Sequence, residues 1–549
     1  NNPVSFPAFF PEEEGDDHIK FGSGVMSPGR FYVNPYANML SSYQETRANK
    51  LNISLNLNQK FDFLTEGLSL SALINFNNWS QNYYSRYLTP FLYSVDPASI
   101  SEDIPGQYSL TKLQEGTKYI SQTGVTRNSD NTFYFDARLN YQRSFGKHNV
   151  SAMLMYMMRE YINSVLPQRN QGLSGRVTYD YANRYLAEFN FGYNGTERIK
   201  AGSRYEFFPA MSAGWVTSNE KFWSGISNVW NYLKVRASFG LVGSDETGLA
   251  AGAPHYLYLS DVNMYGGGQF HSGYDGSFTK NGPIINSYPV QGAHWERASE
   301  FDLGVDMRFF DQLNITVDWF KNKRDRILMR RASFPSVLGY QNAIPWANVG
   351  KVDNTGLELS LNWTKTFQKD WTFDARFNYS YSRNKYVYVD EPDYPYIWQT
   401  RTGKPLSSTY GYVAEGLFRD EAEIKASPDQ SLFGSTIMPG DIKYRDINGD
   451  GSITSEDQIM LSPYGNMPRI QYGFGLSMQW KNLDLSVFFN GSAKRTIMIS
   501  GVSPFCANDS NDNNLMQWIA DSHWSEGADN TGVLYPRLGT LTTQVTNNT

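Results

Sequence analysis

The chain has 549 residues in which 48 Lys and Arg face 54 Asp and Glu, a net charge of −6, with a pI near 5.7 and a mean hydropathy of −0.50. That acidic balance argues against nucleic acid as a partner, because the phosphate backbone is bound through an excess of Lys and Arg. No stretch runs for the about 18 apolar residues a membrane-spanning helix needs, which leaves a soluble fold or a closed β-barrel, the two states that satisfy every backbone group in their solvent.

The chain opens on Asn1, Asn2 and Pro3, followed by an acidic run from Glu12 to Asp17, without the charged start and apolar core of a secretory leader. Residues 51–58 read LNISLNLN, so Leu51, Ile53, Leu55 and Leu57 share one face and Asn52, Ser54, Asn56 and Asn58 the other. After a turn containing Gly67, Leu68, Leu70, Ala72, Ile74 and Phe76 alternate with polar residues, which predicts a hairpin. The same unit recurs at 133–143 with 150–160, 173–181 with 185–194, 207–216 with 233–241, 300–309 with 313–321, 356–364 with 371–381, and 471–480 with 483–490. Fourteen strands are expected.

Within most pairs the connection is turn-sized, as at 144–149, 182–184, 365–370 and 481–482, whereas 78–132, 242–299, 322–355, 382–470 and the chain after 491 form long connections. Short–long alternation puts every turn at one end and every long loop at the other, the layout of an outer-membrane barrel with periplasmic turns and extracellular loops. Aromatics make up 15% of the chain, with 37 Tyr, 34 Phe and 13 Trp, which suits two interfacial girdles. Tyr141, Trp363, Trp371 and Trp480 are expected at the turn end and Trp319 and Tyr193 at the other. Lys234, Arg236, Ser238, Asn314, Thr316, Asp318, Glu358, Ser360, Asn362 and Thr364 fall on polar faces that fit a wet interior, although a sandwich would show the same faces to solvent. Cys506 stands alone and forms no disulfide framework; it reads as a small loop side chain.

DINGDGSITSED at 446–457 has the spacing of a calcium-binding EF-hand loop, with hard oxygen donors at alternate residues and Gly451 at the sharp turn. Side-chain ligation is expected from Asp446, Asn448, Asp450 and Asp457, a backbone carbonyl from Ser452, and a direct or water-mediated contact from Thr454. The bound ion would be calcium in a structural role. Asp457 stands where the loop usually has the longer Glu, and the alternative is an Asn-Gly/Asp-Gly turn that holds no ion.

Six segments, FPAMSAGW (208–215), LKVRASFGLVGS (233–244), WERASEFDLGVDMRFF (295–310), NVGKVDNTGLELSLNW (348–363), PGDIKYRDINGDGSITSEDQIML (439–461) and WKNLDLSVFFNGSAKR (480–495), resemble in content and order the barrel signatures of the SusC/RagA family of TonB-dependent transporters. The resemblance implies an all-β transmembrane antiparallel barrel of 22 strands in the outer membrane of a Gram-negative bacterium, embedded in its lipid. It further implies an N-terminal plug, a TonB-contacting segment, and a SusD-like surface lipoprotein that caps the barrel. Residues 1–549 would be part of that barrel, roughly 14 of the 22 strands, with plug and last strands absent and 382–470 a long extracellular loop. The implied function is active import of a bulky nutrient, an oligosaccharide first and an oligopeptide second; a passive porin or receptor is the alternative.

Tyr265, Tyr274, Tyr394, Tyr396, Trp398, Tyr410 and Tyr412 lie in the long connections and suit stacking on sugar rings. No enzyme is expected. The histidines, His18, His148, His255, His271, His294 and His523, are scattered without metal spacing or an evident nucleophile, and loop carboxylates such as Asp390 and Asp393 are expected to be solvated.

Overall fold

A computed structural model describes residues 6–100, 104, 107–246, 255–335, 337, 343–368, 370–433, 436–498 and 516–538. Cys506 lies outside the described residues. Fourteen long strands form one antiparallel meander in which each pairs with the next in sequence. They are β1 (Ser42–Lys60), β2 (Leu68–Tyr87), β3 (Thr126–Phe145), β4 (His148–Ile162), β5 (Gln168–Tyr181), β6 (Tyr185–Thr196) and β7 (Tyr205–Val216). The series continues with β8 (Trp230–Ser244), β9 (Glu296–Phe309), β10 (Leu313–Arg330), β11 (Trp346–Phe367), β12 (Trp371–Tyr388), β13 (Ile470–Trp480) and β14 (Leu483–Ala493). Among the described strands the sheet is an open arc, with β1 and β14 at its edges.

Register converts the alternation into two continuous faces. Phe301 lies opposite Phe239, Leu303 opposite Ala237 and Trp319, and Val317 opposite Val305 and Leu359. Further along the arc, Leu359 meets Tyr379, Phe377 meets Phe474, and Phe474 meets Phe489. These residues form an outward apolar band, and the residues between them turn inward.

Strands close at the turn end through tight reversals. Gly146 has φ +63, Ala182 and Asn183 φ 53 each, and Lys481 φ 51, left-handed conformations whose twist matches that of the flanking strands. Trp371 stacks on Trp480 at 5.3 Å beside these turns, where the aromatic girdle is expected.

Two expectations need correction. The strands run further toward the mouth than their apolar alternation does, because beyond the bilayer an outward side chain has no need to be apolar; the long connections shrink to 88–125, 245–295, 331–345 and 389–469. Alternation of length is not strict: 163–167 and 197–204 are short although they lie at the mouth, and 217–229 at the turn end is longer than a turn. The connections also carry structure of their own. Within 389–469, Thr409–Gly411 pairs with Ile459–Ser462, Ala414–Leu417 pairs with Ile442–Tyr444, and Glu421–Ala426 is a helix capped by Asp420.

Most of the buried apolar residues sit where connections fold back over the mouth, with Val216 and Trp223 at the turn end as exceptions. Leu257, Val290 and Ala293 pack on Leu328 and Trp346, and Trp295 packs with Ile199 and Phe208. Phe21, Ala37 and Leu92 join the N-terminal segment to the 88–125 connection. A single membrane sheet has no second layer to cover, so its core is displaced to the loops.

Candidate functional site

On the inner wall, register brings charges from successive strands together. The Arg236 guanidinium donates to Asp302 at 3.1 Å and to Asp306 at 3.3 Å, and also to Asp318. Gly304 makes room for it: a Cβ there would lie 2.4 Å from the guanidinium carbon. Elsewhere on this wall, Arg138 on β3 bridges to the buried Asp136 at 2.8 Å, and Arg176 to Glu188 at 2.8 Å. A groove of about 540 Å³ runs along this wall past Ser151, Thr178, Glu188, Ser212, Lys234 and Arg236. A second recess of about 430 Å³ is lined by Asp318, Glu358, Ser360, Asn378 and Gln471. Such a wall offers hydrogen bonds and balanced charge to a hydrated solute. Arg236 and Asp318 were legible as polar-face residues; their meeting with Asp302 and Asp306 was not, since it depends on cross-strand register.

The seven candidate aromatics do not form one site. Tyr265 and Tyr274 stand fully exposed beside two small hairpins, Asp261–Asn263 with Ile284–Ser287 and Gln269–Ser272 with Phe278–Asn281. Tyr396 and Trp398 stack on each other at 4.6 Å and 9°, with Tyr394 exposed beside them, and the Trp398 indole donates to the Glu456 carbonyl at 2.8 Å. Tyr410 lies under Lys404, whose ammonium is 5.4 Å from the ring centre; burial pushes the Tyr410 phenol up and the Lys404 ammonium down. Tyr412 packs against Phe433 at 5.1 Å and Tyr444 at 5.5 Å, which makes it part of the loop's own core.

Two buried ion pairs fix these connections. Arg537 reaches Asp441 at 2.5 and 3.2 Å, with Asp441 fully buried, and Trp524 closes over Gly440, fastening 516–538 onto 389–469. Asp390 pairs with Arg331 at 3.2 Å, accepts from the Ser333 amide at 3.1 Å, and is 5% exposed. The expectation that Asp390 is solvated is therefore corrected; Asp393 is exposed as expected.

The loop 446–457 gathers its candidate ligands into one turn but turns them toward its own backbone. Asp446 accepts from the amides of Gly449 at 2.6 Å and Gly451 at 2.8 Å, Asn448 from Asp450, and Asp450 from Ser452. Asp457, fully buried, accepts from Ile447, Asn448 and Thr454, and Thr454 caps the short turn after it. Among the described residues no group of three or more His, Cys, Asp or Glu is arranged to hold a metal, so the full expected ligand set does not converge.

Histidines make local contacts. His18 bonds Tyr93 and Asp17, His148 bonds Tyr179, and His255 bonds Glu197. His523 does lie 3.1 Å from the Ser525 hydroxyl, contrary to expectation, but its other nitrogen faces the Ala520 carbonyl at 2.8 Å and not a carboxylate. That pair closes a turn and lacks the third member of a nucleophilic triad.

Residues 11–496 match the family model described as TonB dependent receptor-like, beta-barrel. The chain belongs to this family. This receptor barrel is 25% identical over 483 residues to TonB-dependent receptor P3 of Formosa agariphila, an alignment covering 77% of the barrel chain and 45% of that relative. It is 26% identical over 329 residues to TonB-dependent receptor SusC of Bacteroides thetaiotaomicron, covering 58% and 30%. The chain thus spans less than half the length of these relatives. In fold it is similar to the RagAB peptide importer in its closed-closed state, with TM-score 0.66, 16% identity, and coverage of 99% of this chain and 56% of the other. The receptor barrel is therefore an outer-membrane β-barrel of SusC/RagA type, and its relatives are named as receptors, not enzymes.

Proposed function

We propose that this barrel is the wall and mouth of a TonB-coupled importer for a bulky hydrated nutrient, oligosaccharide in the first instance, capped by a SusD-like surface lipoprotein. The observation that carries the reading is the sorting of the surfaces: a polar inner wall centred on Arg236, an apolar outer band, and the largest structured connections gathered at one end. Coupling to TonB would run through a region outside this chain. Exposed Tyr394 beside the Tyr396–Trp398 stack, and exposed Tyr265 and Tyr274, supply ring faces for sugars. An oligopeptide is the second reading, favoured by the paired charges of the inner wall, which suit a zwitterionic backbone, and by the likeness to a peptide importer. No catalytic step is assigned to any residue.

Calcium at 446–457 is proposed on the oxygen spacing alone. A cation there would share the Asp457 oxygens with the backbone amides from which they accept in this structure. The import reading is tested by native mass spectrometry of the full-length protein taken from its own membranes in mild detergent. A bound lipoprotein together with oligosaccharide masses is the expected result; peptide masses would move the substrate class, and a bare barrel would favour a passive porin.

A further inference from the structure

The connection 217–229 is the longest at the turn end, and it folds outward. Tyr185 and Trp215 lie opposite each other on the lipid-facing side, where Phe189 and Met211 also pair. Their polar tips converge on one residue of the connection: the Tyr185 hydroxyl donates to Glu220 at 2.7 Å and the Trp215 indole donates to it at 3.3 Å. Arg184 lies 3.6 Å from the same carboxylate. At the far end of the connection a bulge at Asn231 returns Trp230 to the outer face, where it stacks on Phe309 at 5.1 Å. Trp223 is buried against Trp230 and donates to its carbonyl at 2.7 Å. Both ends of the segment are thus clamped to the outside of the barrel rim.

What the clamp leaves uncovered is apolar. Phe222, Ile226 and Val229 are exposed, as is Phe310 in the next turn, whose amide bonds the Val229 carbonyl at 2.9 Å. We propose that these four side chains form a foot that seats the barrel in the phospholipid of the periplasmic leaflet, at the boundary between headgroups and acyl chains. Lipid is the occupant because the patch continues the lipid-facing band through Phe309 and Trp215, and because interfacial seats combine apolar side chains with indoles whose polar end is satisfied, as it is in Trp215 and Trp223. Lys221, exposed at the start of the foot, is placed to reach the headgroups. The inference does not depend on what the protein transports.

The test is photolabelling of the full-length protein in phosphatidylethanolamine–phosphatidylglycerol vesicles with a lipid-dissolved carbene precursor, read by peptide mass spectrometry. Label on the 221–229 peptide at a level comparable to the Leu357–Leu361 band is expected; label on the band with none on 221–229 overturns the proposal. A second measurement uses Phe222→Cys, Ile226→Cys and Asn228→Cys in a background with Cys506 and any other cysteine replaced, each carrying a nitroxide. Oxygen access should exceed access of a water-soluble nickel chelate severalfold at 222 and 226 and be reversed at 228. Equal chelate access at all three in properly folded protein would refute the seat.

Discussion

The lipid-facing assignment can be tested at Leu359, which points outward on β11 between Val317 and Tyr379. The outward row on β10 is Leu313, Ile315, Val317 and Trp319, ending at Lys321. At about 3.3 Å per residue and a tilt near 40°, that run spans roughly 20 Å of bilayer, with Val317 and its neighbour Leu359 at the middle. Leu359→Arg should therefore cost about 2–4 kcal/mol, a shift of roughly 30- to 1000-fold in the folding equilibrium. The control is one residue away: Ser360 points inward between Thr316 and Asn378, with Glu358 and Asp318 paired one step along. A new Arg there meets water and carboxylates, so Ser360→Arg should stay within about 0.5 kcal/mol. Asn362 is a poorer control because it lies opposite Arg376. Urea-dependent folding of the full-length protein into phospholipid vesicles, followed by heat-modifiable gel migration, measures both. Equal losses at 359 and 360, or a larger loss at 360, would refute the division into lipid and lumen faces.

Asp441→Asn strips the charge from a fully buried partner of Arg537; removal of one member of such a pair costs about 3–5 kcal/mol, so 516–538 should become cleavable by protease while the barrel still migrates as folded, and unchanged protection would contradict the latch. The Lys118 ammonium holds the Asp17 carboxyl down at about 2 from 3.8. Since the folded value is the lower one, the tie between the N-terminal segment and the 88–125 connection is complete above about 3.8 and lost as pH falls toward 2; hydrogen exchange at 17–22 should rise only in that window, and a rise near pH 6 would assign the tie to another group. In the 446–457 loop, Asp457→Ala leaves three part-buried backbone amides without an acceptor against one exposed backbone amide for Asp450→Ala, at up to about 1–3 kcal/mol per group, so limited proteolysis should open the loop far more in the former. Calcium, competing with those amides, should bind in the weak range of about 10⁻⁴–10⁻³ M by calorimetry, and submicromolar affinity would be incompatible with the hydrogen-bonded arrangement.

All fourteen strands and their pairing within seven hairpins were readable from alternation because a membrane sheet is sorted residue by residue: an outward position in lipid has to be apolar and an inward one in water does not. That rule lapses outside the bilayer. The ends of β2 at Tyr87 and β10 at Arg330 were therefore out of reach, as was the outward fold of 217–229, whose course depends on Glu220 finding Tyr185 from 35 residues away. The contact between Asp441 and Arg537 joins positions 96 apart and leaves no periodic trace. The aromatics of the long connections were legible as a population only: Trp398 and Tyr412 look alike in composition, yet one stacks on Tyr396 and the other is packed beneath Phe433 and Tyr444.

The same reasoning separates a lumen from an ordinary wet surface. Polar alternation on β8 to β11 fits either, and exposed ion pairs are worth only about 0–1 kcal/mol, so charged residues alone decide nothing. Membership of the barrel family does, and the polar face is closely packed besides. A Cβ on Gly304 would lie 2.4 Å from both the Arg236 guanidinium and the Asp318 carboxylate, and one cation is shared among carboxylates from two neighbouring strands, β9 and β10. Here the polar side of the sheet is filled laterally, with Arg236 shared among three carboxylates along the wall. Such a wall can stay wet and presents a hydrated solute with paired charges and hydroxyls, not with one deep electrostatic trap.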